Sequence, residues 1–351
     1  MPADTLRGLA YALPIGIVGG TVFYALSLPL AWMLGSMIAV MIAALAGVPV
    51  RLPNGVRAVF VTVIGVLLGS AFTPELLEQV GRFGGTLLIQ VAFMAAATAL
   101  GYTIYRKVGR YDRTTAYFSS TPGGLSEMTL VSEALGGDAR IVPLNHGVRI
   151  VLVVTLISFY FRYIEGLDVP TTPPSGANIA STPFEIALLV GCAVIGAAIA
   201  GRMRIPAAPL IGPMVLSALL HATGITDASV PAWLVSIGLL VIGTGVGCRF
   251  VDRLSPAQML RTIGIAIFTG LSMIGLAIGT AALFSRLVGM DGFILFLSIA
   301  PGGLAEMSLI AFALAADTAF VTVMHFLRVM MVMLSGALVF RVIFGRGGAR
   351  P

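Results

Sequence analysis

Residues 122–149 read PGGLSEMTLVSEALGGDARIVPLNHGVR, and residues 301–328 read PGGLAEMSLIAFALAADTAFVTVMHFLR. At a constant offset of 179, 13 of the 28 positions are identical. Apolar residues coincide easily between any two hydrophobic helices. The matched Glu127/Glu306, Asp138/Asp317, His146/His325 and Arg149/Arg328 do not, so the two stretches read as copies of one module. The likeness continues upstream with small length changes. Pro29, Gly35 and Met37 answer Pro206, Gly212 and Met214 at offset 177, and Gly65, Gly69 and Phe72 answer Gly243, Gly247 and Phe250 at offset 178.

The composition says what kind of module this is. Of 351 residues, 58% are hydrophobic and only 10% charged, with a mean hydropathy of +1.01. Soluble proteins carry about 25% charged residues, so this chain has too few to cover a soluble surface. A spanning helix takes ~20 apolar residues, and the apolar runs predict an all-α polytopic membrane protein. A soluble enzyme, a disordered regulator and a disulfide scaffold are excluded. Only two cysteines, Cys192 and Cys248, occur, and both sit in apolar runs.

Six apolar segments are expected in each half: near 9–28, 31–49, 58–72, 84–104, 115–135 and 141–161, then 183–201, 205–222, 231–248, 262–285, 292–316 and 319–343. The first repeat spans 9–163, the second 183–345, and a polar, Pro-rich linker occupies 164–182. The fifth segment of each half carries the PGG. Proline removes a backbone donor and glycine weakens a helix. Irregular backbone at membrane depth persists only when buried in protein or lining a wet cavity. The fifth segment is therefore expected to be a broken or re-entrant helix, leaving about five spanning helices per half.

Charge bias separates crossing from re-entry. With five crossings per half and the N-terminus inside, 16 Arg/Lys residues face the cytoplasm and 3 face outward. If the fifth segment crosses fully, the ratio is 12 to 7. Positive charge belongs inside, which favours two inverted repeats in a multi-pass protein of the cell inner (plasma) membrane. The formal charge of +6 then reflects loop placement, and no direct nucleic-acid partner is expected.

Inverted repeats with discontinuous helices are a transporter architecture, with substrate near the midplane. On that reading Gly123, Gly124, Gly302 and Gly303 break the helices and let backbone approach a solute, although a PGG can also make a turn at the membrane surface. Glu127 and Glu306 would carry a proton or coupling cation; a dipole-complementing cap is the plainer alternative. Arg149 and Arg328 lie inside apolar runs with no other charge for a full turn around them. Unless they snorkel to the interface, they must pair with a PGG-helix glutamate or grip an anionic solute. His146 and His325, three residues earlier on the same helix face, would tune protonation or serve as hydrogen-bonded structural residues. Asp138 and Asp317 precede the last helix of each half and are expected to be structural caps. No catalytic residue, metal site or cofactor is expected, and the Gly-rich phosphate loop ending in Lys-Ser/Thr is missing. The expected partners are the lipid bilayer, a small solute and protons, with a homo-oligomer compatible with the sequence.

The paired PGG-x-x-E-M motifs, each followed by Asp, His and Arg, resemble the AbrB-type membrane duplication family over residues 9–345. The resemblance implies a bacterial inner-membrane protein with two copies of one module. It also implies labels of two further kinds, a transition-state regulator of gene expression and an ammonia monooxygenase. Direct regulation would need a DNA-reading element, and no segment between the apolar runs is long enough to fold as one. A monooxygenase would need clustered metal ligands, whereas the chain has three histidines. The expected function is a secondary transporter for a small anionic or proton-coupled solute, working by alternating access between the two repeats. The rival is an integral membrane sensor or partner-binding protein acting indirectly on gene expression, with a monooxygenase third.

Overall fold

The computed structural model describes residues 3–72, 81–123, 125–166, 178–179, 182–205, 207–250 and 254–345. Most of the 164–182 linker, Gly124, and the side chains of Leu125 to Glu127 lie outside the described residues. Among them the chain forms fourteen α-helices. They are α1 (Ala3–Ala25), α2 (Ala31–Leu45), α3 (Asn54–Gly69), α4 (Gly81–Ile104), α5 (Arg113–Ser120), α6 (Leu125–Ala134), α7 (Ile141–Tyr163), α8 (Pro183–Arg202), α9 (Ala208–Ala222), α10 (Ala232–Gly247), α11 (Pro256–Phe284), α12 (Gly292–Ile299), α13 (Leu304–Ala313) and α14 (Thr318–Phe344). A π-helical turn, Tyr105–Gly109, extends α4, and a 3-10 turn, Cys248–Phe250, extends α10. The only strands among the described residues are Asn178–Ile179 and Ala228–Ser229, which pair in parallel.

Seven helices are long and apolar enough to span a bilayer: α1, α4, α7, α8, α10, α11 and α14. The chain is thus a multi-pass, all-helical membrane protein. Ten full-length spans were expected. The difference lies in α2, α3 and α9, which have 15, 16 and 15 residues, about 22–24 Å at 1.5 Å per residue against a hydrocarbon core of ~30 Å. Each apolar run there is closed early by Gly, Pro or polar residues, as in Ala46-Gly47-Val48-Pro49 after α2.

The helices sort into two compact units that each draw on both halves of the sequence. The first comprises Met1–Val80, Thr155–Val251 and Ser308–Ala319; the second comprises Gly81–Val154, Asp252–Met307 and Phe320–Pro351. This partition differs from the division into sequence repeats: residues 1–72 share a unit with 183–250, and residues 84–123 share the other with 262–302.

In the first unit, glycine sets the helix spacing. A β-carbon on Gly19 of α1 would strike the Gly35 carbonyl of α2, and one on Gly196 of α8 would strike Gly212 of α9. Gly243 and Gly247 of α10 press on the Met33 and Met37 carbonyls of α2, while Gly65 and Gly69 of α3 press on the Leu210 and Met214 carbonyls of α9. These are the same contacts with the halves exchanged, at offsets 177 and 178. Small residues permit this backbone approach where lipid offers no hydrophobic drive for association.

In the second unit the PGG stretches divide short helices. Asp112 caps α5 by accepting from the Thr115 N–H at 2.9 Å, and Asp291, at offset 179, caps α12 by accepting from Phe293 and Ile294. The helices flanking each break have 8 and 10 residues, about 12 and 15 Å long, so none crosses alone. In the first copy the chain doubles back. The Thr115 hydroxyl accepts from the Asp138 N–H at 2.8 Å, and the Thr114 hydroxyl donates to the Leu135 carbonyl at 3.5 Å. The start of α5 therefore lies beside the end of α6, and the pair is a hairpin with Pro122 and Gly123 between its arms.

Candidate functional site

The break dictates the first partners. Proline lacks an N–H, so Pro122 leaves the Phe118 carbonyl, four residues earlier, without its helical donor, and Pro301 does the same to Leu297. A buried carbonyl without a donor costs about 1–3 kcal/mol. The structure fills both vacancies with histidine. His146 Nε2 donates to the Phe118 carbonyl at 2.8 Å, and His325 Nε2 donates to the Leu297 carbonyl at 2.9 Å. Both rings are fully buried.

The glycines after each proline admit a methionine. A β-carbon at Gly123 would meet Met128 and Val332; one at Gly302 would meet Met307 and Val153. Met128 and Met307, five residues after the first glycine of each motif, are buried against that gap. Val332 lies on α14 and Val153 on α7, so each break packs on the last helix of the other half. Gly303 serves a different end: the Glu306 carboxylate folds back over it, where a β-carbon would collide.

The arginines complete the cluster, and they differ. Arg149 Nη2 donates to His146 Nδ1 at 2.9 Å. A carbonyl only accepts and a guanidinium only donates, so these two bonds fix His146 as a neutral ring carrying its proton on Nε2. Arg328 instead reaches the break and donates to the Ala300 carbonyl at 2.7 Å and to the Gly302 carbonyl. That leaves His325 Nδ1 without a partner.

Charge balance is the salient property. Arg149 and Arg328 are 5% and 1% exposed. Among the described residues no carboxylate is within ion-pair distance of either, and the Nε of each has no hydrogen-bond partner. Glu306, in the first turn of α13, is buried but pairs with neither. Burying an ion costs several kcal/mol unless it is compensated, so the two arginines are buried positive charges without an ion-pair partner among the described residues.

Of the sequence candidates, His146, Arg149, Gly123, Gly302, Gly303, Glu306, His325 and Arg328 all fall in the second unit. Gly124 and the Glu127 side chain lie outside the described residues. The caps lie elsewhere. Asp138 accepts from the Arg140 and Ile141 N–H groups at the start of α7 and pairs with the Arg140 guanidinium at 2.8 Å. It precedes Arg149 by eleven residues, about 16 Å along a helix, and Asp317 precedes Arg328 by the same number. Sequence reasoning missed Gln90, which is fully buried on α4 and donates to the Met324 carbonyl at 2.8 Å, and Asn145, which donates to Ser119 at 3.0 Å. It also missed Tyr105. Gln90 is a lone polar group in an apolar run, the signal that singled out the arginines, whereas Asn145 and Tyr105 stand beside other polar residues.

A family model described as "Transition state regulatory protein AbrB" matches residues 32–344. The chain belongs to that family. "Putative regulator AbrB" of Escherichia coli (strain K12) is 24% identical over 322 residues, covering 92% of each chain. "Uncharacterized protein YhjN" of Bacillus subtilis (strain 168) is 26% identical over 344 residues, covering 91% of this chain and 88% of that protein.

Proposed function

We propose that this AbrB-family chain is a secondary transporter of the inner (plasma) membrane that moves a small anionic, proton-coupled solute by alternating access. The observation that carries the proposal is the pair of buried guanidiniums, each with an unused Nε–H and neither with a carboxylate partner among the described residues. An anion entering between them would supply the missing charge, and a guanidinium presents a rigid fork of donors to a carboxylate or oxyanion. Discontinuous helices, such as those the two PGG breaks create, are where carriers of this architecture place their binding sites.

An inverted relation between the halves fits this reading. It is supported by the α5–α6 hairpin, which returns to the side it came from, and by the charge count of 16 inside against 3 outside. Glu306, with Glu127 as its sequence counterpart, is the proposed carrier of the coupled proton, since an intramembrane carboxylate is by default a functional group. The regulatory names of the relatives are accommodated if solute movement alters gene expression indirectly.

The test is flux. Purified protein in liposomes, given a pH gradient and a panel of small organic and inorganic anions, is expected to show pH-dependent uptake. Glu306→Gln should remove the pH dependence and Arg149→Ala the uptake. Uptake unchanged in both variants, or no uptake of any anion under either gradient polarity, overturns the assignment.

A further inference from the structure

The apolar helix α4 ends in a run of positive charge. Residues 105–113 read YRKVGRYDR, and Arg106, Lys107, Arg110 and Arg113 are all exposed. We infer that this turn, together with Arg261 of α11, is a binding surface for the headgroup of an anionic phospholipid at the membrane boundary. Lipid binding there is independent of whether the chain carries a solute.

The backbone gathers these charges. The π-helical turn Tyr105–Gly109 is followed by Arg110 in left-handed backbone, with φ 57°, and the chain reverses. Tyr111 then stacks back on Tyr105, ring centroids 5.6 Å apart. The Tyr111 N–H donates to the Tyr105 carbonyl at 3.2 Å, and the Arg106 guanidinium donates to the Tyr111 carbonyl. From α11, Arg261 Nη2 donates to the Gly109 carbonyl at 3.2 Å and to that of Val108 at 3.4 Å. A left-handed residue closing a helix is ordinarily glycine, which has no β-carbon to strain. Arginine at position 110 puts a charge where the backbone alone favours none.

The helices set the level of this turn. The spanning stretches Gly84–Gly109 and Ala257–Phe284 come together at the Arg261 bonds, so the charges stand where α4 ends and α11 begins. Beside those bonds Val108 and Leu260 are 53% and 74% exposed, an apolar border that suits acyl chains. Basic clusters at the end of a membrane helix attract anionic lipid, and arginine pairs with phosphate through charge-assisted hydrogen bonds. The neighbouring acids leave the turn open. Asp138 is paired with Arg140, and Asp112 accepts from the Thr115 N–H at the start of α5. Glu133 is exposed near the end of α6. Among the described residues no carboxylate lies within ion-pair distance of Arg106, Lys107, Arg110, Arg113 or Arg261. Asp252 and Arg253, which precede α11, lie outside the described residues and carry opposite charges.

The experiment compares headgroups. Full-length protein in a non-ionic detergent is titrated with dihexanoyl phosphatidylglycerol, dihexanoyl phosphatidylcholine or glycerol phosphate at matched ionic strength, while thermal unfolding is followed. A ligand that binds the folded state alone raises the midpoint. Phosphatidylglycerol is expected to raise it at concentrations where the other two do not. Lys107→Gln and Arg110→Gly should each shift the response to about fivefold higher lipid, the factor one basic residue contributes near an anionic surface. Arg110→Gly separates binding from folding: glycine suits the left-handed backbone, so its lipid-free midpoint should be no lower than that of the wild type. Arg286→Gln, an exposed position beyond the far end of α11, should leave the response unchanged.

Equal responses to the two lipids, no response to either, or a phosphatidylglycerol response untouched in both Lys107→Gln and Arg110→Gly overturns the inference. A response to glycerol phosphate equal to that of phosphatidylglycerol would assign the turn to a soluble phosphate and overturns it as well. A midpoint that rises with protein concentration but not with phosphatidylglycerol would give the surface to a second copy of the chain, with the same consequence.

Discussion

Arg149 donates to the Nδ1 of His146 at 2.9 Å, while Arg328, at the matching position of the second copy, bypasses His325 and holds the carbonyls of its own helix break. One shared motif, P-G-G-L-x-E-M followed by H-x-x-R, thus produces two different hydrogen-bond sets. The first copy ties its arginine to a histidine and the second ties it to backbone. Both arginines remain without a counter-charge among the described residues, and that shared property is the one on which function is argued.

The histidines should behave as substitutes for the helical donor that proline removes. His325→Leu leaves the Leu297 carbonyl buried and unpaired, and the expected loss of stability is about 1–3 kcal/mol. In a Pro301→Ala background residue 301 regains an N–H that can reach Leu297, so the same substitution should cost less. A double-mutant cycle on unfolding in detergent reads the coupling directly. A loss of equal size in both backgrounds would sever the link between the two residues.

Glycines within one helix should split by what faces them. Gly191 and Gly196 both lie in α8, yet a β-carbon at Gly191 meets nothing within 4 Å while one at Gly196 meets the Gly212 backbone. Gly191→Ala should stabilise by up to about 1 kcal/mol through helix propensity. Gly196→Ala should destabilise by about 1–3 kcal/mol, because a packed backbone cannot yield as a side chain can. Thermal midpoints of the two variants, which differ only in position along α8, check this.

Acid should loosen the entrance to α7. Asp138 is held below the usual carboxylate range, chiefly by the hydrogen bond from Arg140, with backbone donors from Arg140 and Ile141 adding to it. A depressed carboxyl contributes stability that is present above its unfolded value of about 3.9 and is lost as pH falls through the lower folded value. The wild type should therefore lose stability on acidification below about pH 4. Asp138→Asn should start lower at neutral pH and lose less on the way down. Parallel pH profiles for the two proteins would contradict the cap.

Much of this was legible in the sequence for a simple reason: intramembrane charge is costly, so Arg149, Arg328 and Glu306 stand out against apolar neighbours. The breaks were legible because proline and glycine announce themselves. The sorting into units was not. It depends on which helix a glycine admits, and Gly65 gives no sign that its neighbour is Leu210 of the other half. The role of the histidines was hidden as well, since it depends on a carbonyl that no side-chain pattern displays. A Pro followed by His 24 residues later, repeated at 122/146 and 301/325, was the available clue.

The central claim is that Arg149 is a buried, uncompensated charge retained for a ligand. The most direct test is Arg149→Met, which keeps the volume and removes the charge, read by unfolding with and without anion. Replacing a poorly compensated buried ion with an apolar side chain is often neutral or stabilising by about 1–4 kcal/mol. The expected result is a ligand-free variant at least as stable as the wild type whose midpoint no longer responds to anions. A variant less stable than the wild type that still responds to anions would contradict the account.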